Sequence, residues 1–131
     1  MKRLSGIVCL AWLASLAGGC ATSYHSTSTT GGYSDTQLSP DEFRVVFAGN
    51  GYTTYDQARD FALLRACELT VQHGFTFFTI TEESPLRLDP LGRGLPGKRL
   101  QIRCFHQRPE MGESFNAVDL QQTLRTKYGM T

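Results

Sequence analysis

The feature that most constrains this chain is an apolar run from Gly6 to Ala17, which follows the basic residues Lys2 and Arg3. A run of about 7–15 apolar residues behind positive charges is typical of a secretory signal peptide, and it is too short to cross a hydrocarbon core of about 30 Å. We therefore expect residues 1–19 to be removed. Residues 20–131 would then fold as a single domain at most, since domains cluster at roughly 100–150 residues.

The end of this segment, Leu16-Ala17-Gly18-Gly19-Cys20, resembles the lipobox of bacterial lipoproteins, in which small residues precede an obligatory cysteine. The resemblance implies cleavage between Gly19 and Cys20, transfer of a diacylglyceryl group to the nucleophilic Cys20 thiol, and acylation of the freed amine by a fatty acid such as palmitate. Two or three acyl chains anchor a protein firmly, whereas one chain binds a membrane only marginally. Because Ala21 rather than an aspartate follows the cysteine, the resemblance also implies an outer-membrane lipoprotein that faces the periplasm. A plain secretory peptide, with Cys20 merely near its cut, is the alternative.

Composition separates the rest of the chain into two parts. The whole chain carries 13 basic and 12 acidic residues, so it lacks the strongly basic balance that is typical of a nucleic-acid-binding domain. Residues 21–34 are rich in Ser, Thr and Gly, and burial cannot offset the entropy of ordering such a stretch. We expect residues 20–34 to form the lipidated cysteine and a flexible tether, and residues 35–131 to form the globular domain.

Hydrophobic periodicity predicts the secondary structure of the first half of the domain. Residues 43–48 alternate as a strand does. A capping box that begins at Thr54 predicts a helix over residues 55–73, and Gly74 is suited to end it. The β-branched and aromatic residues 75–81 predict a central strand.

The second half of the domain predicts a loop, a strand and a helix. Residues 83–97 hold three prolines and three glycines, which predicts irregular structure. Residues 98–106 alternate again, as a strand with one solvated face, and residues 116–128 form an amphipathic helical pattern. The order β-α-β-β-α predicts the α+β class, as one small domain with a sheet of about three strands packed on one long and one short helix.

Two cysteines remain in the mature chain, Cys67 on the predicted long helix and Cys104 on the inward side of a predicted strand. An even number of cysteines in an oxidising compartment is consistent with a disulfide between them. The alternative is two buried free thiols that act as small apolar side chains.

The sequence contains no motif that predicts catalysis, a metal site or a cofactor. His25, His73 and His106 are scattered, without the spacing of a zinc site, and no serine nucleophile motif is present. Gly49-Asn50-Gly51 precedes a predicted helix but lacks the spacing and the lysine of a phosphate-binding loop, so we interpret it as a turn. We therefore expect no metal, no cofactor and no enzymatic activity.

Charge is distributed unevenly along the domain. Residues 35–83 hold 8 acidic and 3 basic residues, and residues 84–108 hold 6 basic residues and 1 acidic residue. We favour the interpretation that these charges pair with the acidic first half across the fold, or only solvate a strand face. The alternative is a basic patch that would face acidic lipid headgroups, an acidic envelope polymer or an envelope protein. The residues of this candidate patch are Arg87, Arg93, Lys98, Arg99 and Arg103.

Several segments together resemble a family of small bacterial lipoproteins of unknown function, which carry an F-x-G-N-x-x-T, A-L-L-R-A-A-E-L and G-F-x-x-F core after a lipobox. The matching segments are GYSDTQL (32–38), FRVVFAGNGYTT (43–54), ALLRACEL (62–69) and HGFTFF (73–78). The resemblance covers roughly residues 16–80, and Cys67 stands where the family usually has Ala. It implies a membrane-anchored address and carries over no activity.

These observations predict a lipid-anchored protein of the cell envelope that serves as a non-catalytic binding or structural module. The alternatives are an envelope stress or redox sensor that uses Cys67 and Cys104, and a periplasmic enzyme without a recognisable motif. The expected partners are the membrane, through the lipid anchor, and an envelope protein or acidic polymer. Nucleic acid is not an expected partner, and nothing in the sequence predicts the oligomeric state.

Overall fold

The computed structural model describes residues 23–28, 31–86 and 94–130. The elements, in chain order, are β1 (Gly32–Ser39), β2 (Glu42–Ala48), α1 (Tyr55–Gln72), β3 (Phe77–Pro85), β4 (Gly97–Phe105), β5 (Phe115–Asn116) and α2 (Ala117–Lys127). The strands form one five-stranded antiparallel sheet in the order β1-β2-β4-β3-β5. The α+β class and the two helices are confirmed. The prediction of about three strands in the order β-α-β-β-α is wrong, because β1 and β5 add to the sheet.

The two strands β2 and β4 pair along the whole length of β2 and carry much of the core. Apart from Lys98, their inward side chains are apolar and mostly buried, and the register places Val45 opposite Leu100 and Phe43 opposite Ile102. Alternation in β4 follows the prediction, since Leu100, Ile102 and Cys104 are buried and the residues between them are not. The sheet therefore has an inner face, which the helices cover, and an outer face, which they do not.

Helix α1 begins and ends at local signals in the sequence. The Thr54 hydroxyl accepts a hydrogen bond of 3.1 Å from the Gln57 amide at its start. Gly74, just after the last turn, has a φ of 81°, a conformation that suits glycine. The inward side of the helix is rich in alanines with no exposed surface, which lets the helix lie close to the sheet. These alanines are Ala58, Ala62 and Ala66.

Helix α2 packs on α1 through its last turns. The Lys127 ammonium and the Tyr128 hydroxyl each lie 2.6 Å from an Asp60 carboxylate oxygen. The Arg125 guanidinium donates to Glu68 over 3.3 Å. Burial, followed by the hydrogen bond to Asp60, raises the pKa of Tyr128, which therefore stays protonated as the donor. This contact fixes the C-terminal end of the domain against the outer side of α1.

Residues 23–28, here called the strap, fold back onto the domain, although composition predicts a tether there. The Tyr24 ring lies 4.8 Å from the Tyr33 ring and 5.5 Å from the Phe61 ring, between centroids. Its hydroxyl donates to the Glu68 carboxylate, and burial together with this hydrogen bond raises the pKa of Tyr24. One aromatic residue thus holds a segment that is otherwise too polar to bury.

The strap also pairs with β1 through its backbone. The Tyr33 amide donates to the His25 carbonyl over 2.7 Å, and the Thr27 amide donates to the Tyr33 carbonyl over 2.8 Å. Gly31 and Gly32 have φ values of 103° and 124°, so the chain reverses at a point where L side chains are strained. β1 therefore begins three residues before the predicted start of the domain at Asp35.

β3 differs from the prediction at its end. It continues to Pro85, so the first residues of the predicted irregular segment are part of the strand, and the register shifts between Ile80 and Glu82. The shift places Glu82 opposite Gln101 and Glu83 opposite Leu100. Consecutive acidic residues therefore lie on opposite faces of the sheet.

In the part of the chain that the structure describes, neither helix has the length and apolar character needed to cross a membrane.

Replacing Gly32 with Ala should destabilise the domain by about 1–3 kcal/mol, because a strained backbone and a clash then coincide. A Cβ atom at Gly32 would lie 2.5 Å from the His25 and Ser26 carbonyl oxygens. Gly51→Ala is the matched control, since a Cβ there meets nothing within 4 Å. Urea unfolding of both variants measures the difference. Equal free energies of unfolding would mean that the strap is not held against β1.

Candidate functional site

The outer face of the sheet is the best candidate for a binding surface, because it carries charged side chains that the fold itself does not use. Two rows of residues cross it from β2 through β4 to β3. The first row is Arg44, Gln101 and Glu82, and the second is Val46, Arg99 and Ser84. Arg44 and Arg99 are diagonal neighbours, a relation that places backbone positions roughly 7–8 Å apart.

Four of these residues line a cleft of about 70 Å³, here called the arginine cleft. Its lining residues are Arg44, Glu82, Arg99 and Gln101. Arg44 and Arg99 are exposed. Within the described residues, neither guanidinium has a carboxylate within 4.0 Å, although Glu82 lies in the same cleft. The fold therefore leaves two positive charges beside each other on an open surface.

The chemistry of the arginine cleft is that of binding. A guanidinium presents a planar set of N–H donors that matches a carboxylate or phosphate, and it keeps its charge at any physiological pH. The Gln101 side chain adds an amide that donates and accepts. Glu82 reduces the net positive charge of the cleft. A ligand with two or more anionic groups can contact both guanidiniums, so it should bind more tightly than a single anion.

The structure divides the predicted basic patch. Arg87 and Arg93 lie outside the described residues. Lys98 is on the inner face, where its ammonium is 2.7 Å from Glu83. Arg103 is on the outer face and forms an ion pair with Glu42. Of the three patch residues that the structure describes, only Arg99 lies in the arginine cleft.

Arg44 is the functional candidate that sequence reasoning missed. It lies 55 positions before Arg99, and the two become neighbours only through the antiparallel register of β2 and β4. The alternation of β2 predicts that Arg44 is exposed, because Phe43 and Val45 on either side of it are buried. The pairing of β2 with β4 could not be predicted, because local sequence does not specify which strands lie side by side.

A second charged cluster surrounds Glu83 on the inner face. Its carboxylate receives a hydrogen bond of 3.0 Å from Arg59 of α1 and lies 2.7 Å from the Lys98 ammonium. The hydrogen bond from Arg59, with Lys98 adding to it, lowers the pKa of Glu83. This cluster ties α1 to β3 and β4, so its role is structural.

Both cysteines of the described chain are free thiols in the core. The structure therefore shows the buried free thiols that were the alternative to a disulfide between Cys67 and Cys104. The Cys104 sulfur lies 3.4 Å from the Thr70 hydroxyl. Burial raises the pKa of Cys67 to about 12 and also raises that of Cys104. A thiol reacts as its thiolate, so neither group is an activated nucleophile.

The three histidines lie at separate places in the structure. The His25 Nδ1–H donates to the Ser26 carbonyl over 2.6 Å, His73 lies 4.6 Å from the Phe43 ring and His106 stacks 4.6 Å from Phe75, between centroids. Across residues 23–28, 31–86 and 94–130, no three His, Cys, Asp or Glu side chains gather as metal ligands.

The backbone amides of the turn before α1 donate to other groups of the protein. The Asn50 amide donates to the Thr53 hydroxyl and the Tyr52 amide donates to the Asn50 side chain, each over 2.8 Å. The Gly49 amide donates to the Pro96 carbonyl over 2.8 Å. A phosphate-binding loop would instead aim its amides at a ligand. The geometry is that of the predicted turn.

Cys20 and the cleavage site at Gly19 and Cys20 lie outside the described residues. No protein-family model, curated protein or solved structure matches the chain.

The Glu83 cluster predicts a pH-dependent contribution to stability. Because the folded pKa of Glu83 is lowered from the ordinary value of 4.5, its contribution is present above that value and is lost as the pH falls through the folded pKa. Glu83→Gln should therefore lower the free energy of unfolding at pH 7, and the difference from the parent should shrink below pH 4.5. Urea unfolding over this pH range measures it.

The control is Glu82→Gln, which removes the same charge from the neighbouring position on the outer face. It should change stability less at pH 7. A deficit for Glu83→Gln that is unchanged in acid would show that a lost packing contact, and not the charge, is responsible.

Proposed function

We propose that this protein is a lipid-anchored envelope lipoprotein whose domain is a non-catalytic binding module for an acidic partner in the periplasm. The lipobox-like segment that ends at Cys20 supports the anchor. The pair Arg44 and Arg99, exposed beside each other without a carboxylate partner in the described chain, is the observation that carries the binding role. Ala21 after the cysteine supports the outer membrane as the destination.

An acidic polymer or an acidic surface of an envelope protein fits the arginine cleft better than a small buried ligand does. The cleft holds only about 70 Å³, whereas pockets for small molecules enclose roughly 300–1,000 Å³. Repeated carboxylates along an extended ligand would engage both guanidiniums at once. The affinity should fall with salt, because exposed charges are screened within about 8–10 Å at physiological ionic strength.

The alternatives gain less support. A redox sensor needs an accessible thiolate, but Cys67 and Cys104 are buried and their pKa values are raised. An enzyme needs convergent catalytic groups in a pocket, and the arginine cleft offers two guanidiniums, a carboxylate and an amide on an open face.

The anchor predicts the mass of the mature protein. The protein extracted from membranes should have the mass of residues 20–131 plus two or three acyl chains, as measured by intact mass spectrometry. Cys20→Ser should abolish the acyl mass and release the chain from the membrane fraction. An unmodified mass for the parent protein would contradict the anchor and leave the domain as a secreted one.

The arginine cleft predicts charge-selective binding. Arg44→Gln/Arg99→Gln should weaken binding of poly-L-glutamate at least tenfold at low salt, as measured by titration calorimetry or fluorescence polarisation. Glu82→Gln should strengthen it, because a repulsive charge is removed from the same cleft.

Arg108→Gln/Lys127→Gln is the matched control, since it removes two positive charges from exposed positions outside the arginine cleft. It should bind poly-L-glutamate as the parent does. If both double variants lose affinity equally, net charge is responsible, and the arginine cleft is not a binding site.

A further inference from the structure

Only two residues, Ala21 and Thr22, separate the expected acylated Cys20 from Ser23, the first residue that the structure describes. Three residue steps span at most about 11 Å when fully extended. A free tether over residues 21–34 would instead reach roughly 46–50 Å. The folded strap therefore removes most of the distance by which the domain could stand away from the bilayer.

We infer that the domain sits directly on the membrane surface, with the helical side that surrounds Ser23 turned toward the lipid headgroups. This inference rests on the proposed acylation of Cys20. The partner in this inference is the surface of the bilayer that holds the acyl chains. The short span from Cys20 to Ser23 determines which side of the domain contacts that surface.

The position of Ser23 is set by the strap, and the strap is held at several points. The Tyr24 ring packs between Tyr33 and Phe61, and its hydroxyl donates to Glu68. The backbone bonds between the strap and Tyr33 hold its other end. The chain therefore leaves the domain at a defined place on the helical side.

The surface around that place is an open groove of about 400 Å³, here called the strap groove. It is lined by Ser23, Tyr24, Gln57, Phe61, Tyr128 and Met130. A second groove of about 320 Å³ adjoins it at Met130 and includes Val118, Gln122 and Arg125. Val118 is 56% exposed, so it presents an apolar side chain to the solvent beside this groove.

The chemistry of this surface suits the headgroup layer. Exposed Val118 and partly buried Met130 offer apolar contact, while Arg125 and Lys127 in the last turn of α2 carry positive charge beside them. Lys127 pairs with Asp60 and Arg125 pairs with Glu68, so acidic residues neutralise both charges. The surface is therefore mixed rather than strongly basic, and the acyl chains, not the surface, supply the anchoring.

The orientation has a consequence for the arginine cleft. The helices cover the inner face of the sheet, and the arginine cleft is on the outer face. If the helical side lies on the lipid, Arg44 and Arg99 are turned away from it, toward the periplasm.

Tryptophan fluorescence gives a direct test, because the only tryptophan of the chain, Trp12, lies in the segment that the proposed signal cleavage removes. Val118→Trp introduces a reporter on the helical side, and Thr36→Trp introduces one on the outer face, where Thr36 is exposed opposite Arg44. Both acylated proteins are reconstituted into phosphatidylcholine vesicles that contain lipids brominated near the top of the acyl chain. The bromines should quench Val118→Trp at least twofold more than Thr36→Trp.

Gln122→Trp, at an exposed position in the second groove, serves if Val118→Trp fails to fold by circular dichroism. Inserting a ten-residue Gly/Ser segment between Thr22 and Ser23 should lower the helical-side quenching to the level of Thr36→Trp. Equal quenching of the two reporters in acylated protein, or quenching that survives the insertion, would overturn the inference. The acyl mass is measured on the same samples. A missing acyl mass would contradict the proposed function, whereas an acylated domain with equal quenching of both reporters would contradict only this inference.

Discussion

The close packing of α1 on β2 and β4 is the constraint on which the rest of this structure depends. Three alanines at successive turns of α1 have no exposed surface, so the helix lies near the strands, and the inward residues of both strands are buried against it. Interiors pack densely, so larger side chains at these positions would push the helix away. Because the helix takes the inner face, every alternate residue of β2 and β4 is directed to the outer face. The arginine cleft lies on the outer face for this reason.

Ion pairs between distant parts of the chain explain why an uneven charge pattern produces only a small positive surface. Acids of the first half meet bases of β4, as Glu42 meets Arg103 and Glu83 meets Lys98. Exposed pairs of this kind contribute little to stability, but they neutralise one another. On the outer face, within the described residues, Arg44 and Arg99 are two cations without a carboxylate within 4.0 Å, although Glu82 shares their cleft.

The elements that the sequence predicts well are those whose own residues contain the signal. The Thr54 cap and Gly74 bracket α1, and alternation predicts the inward residues of β4. β1 is mostly polar and lies at the edge of the sheet, where one neighbour suffices, so it lacks an alternating apolar pattern. The arginine cleft could be predicted only in part, since strand exposure is local and strand pairing is not.

The strap shows how one long-range contact can change the meaning of a polar segment. Serine, threonine and glycine around Tyr24 cannot stabilise their own order, but the Tyr24 ring brings them onto Phe61 and Tyr33. Glu68 receives the Tyr24 hydroxyl and also bonds to Arg65 and Arg125, so the strap joins the same network that links α1 to α2. The contact that makes this polar segment part of the domain is therefore also the one that would orient the domain, under the proposed acylation of Cys20. A flexible linker would then let the arginine cleft face any direction, whereas a strap fixed to α1 would restrict it to one.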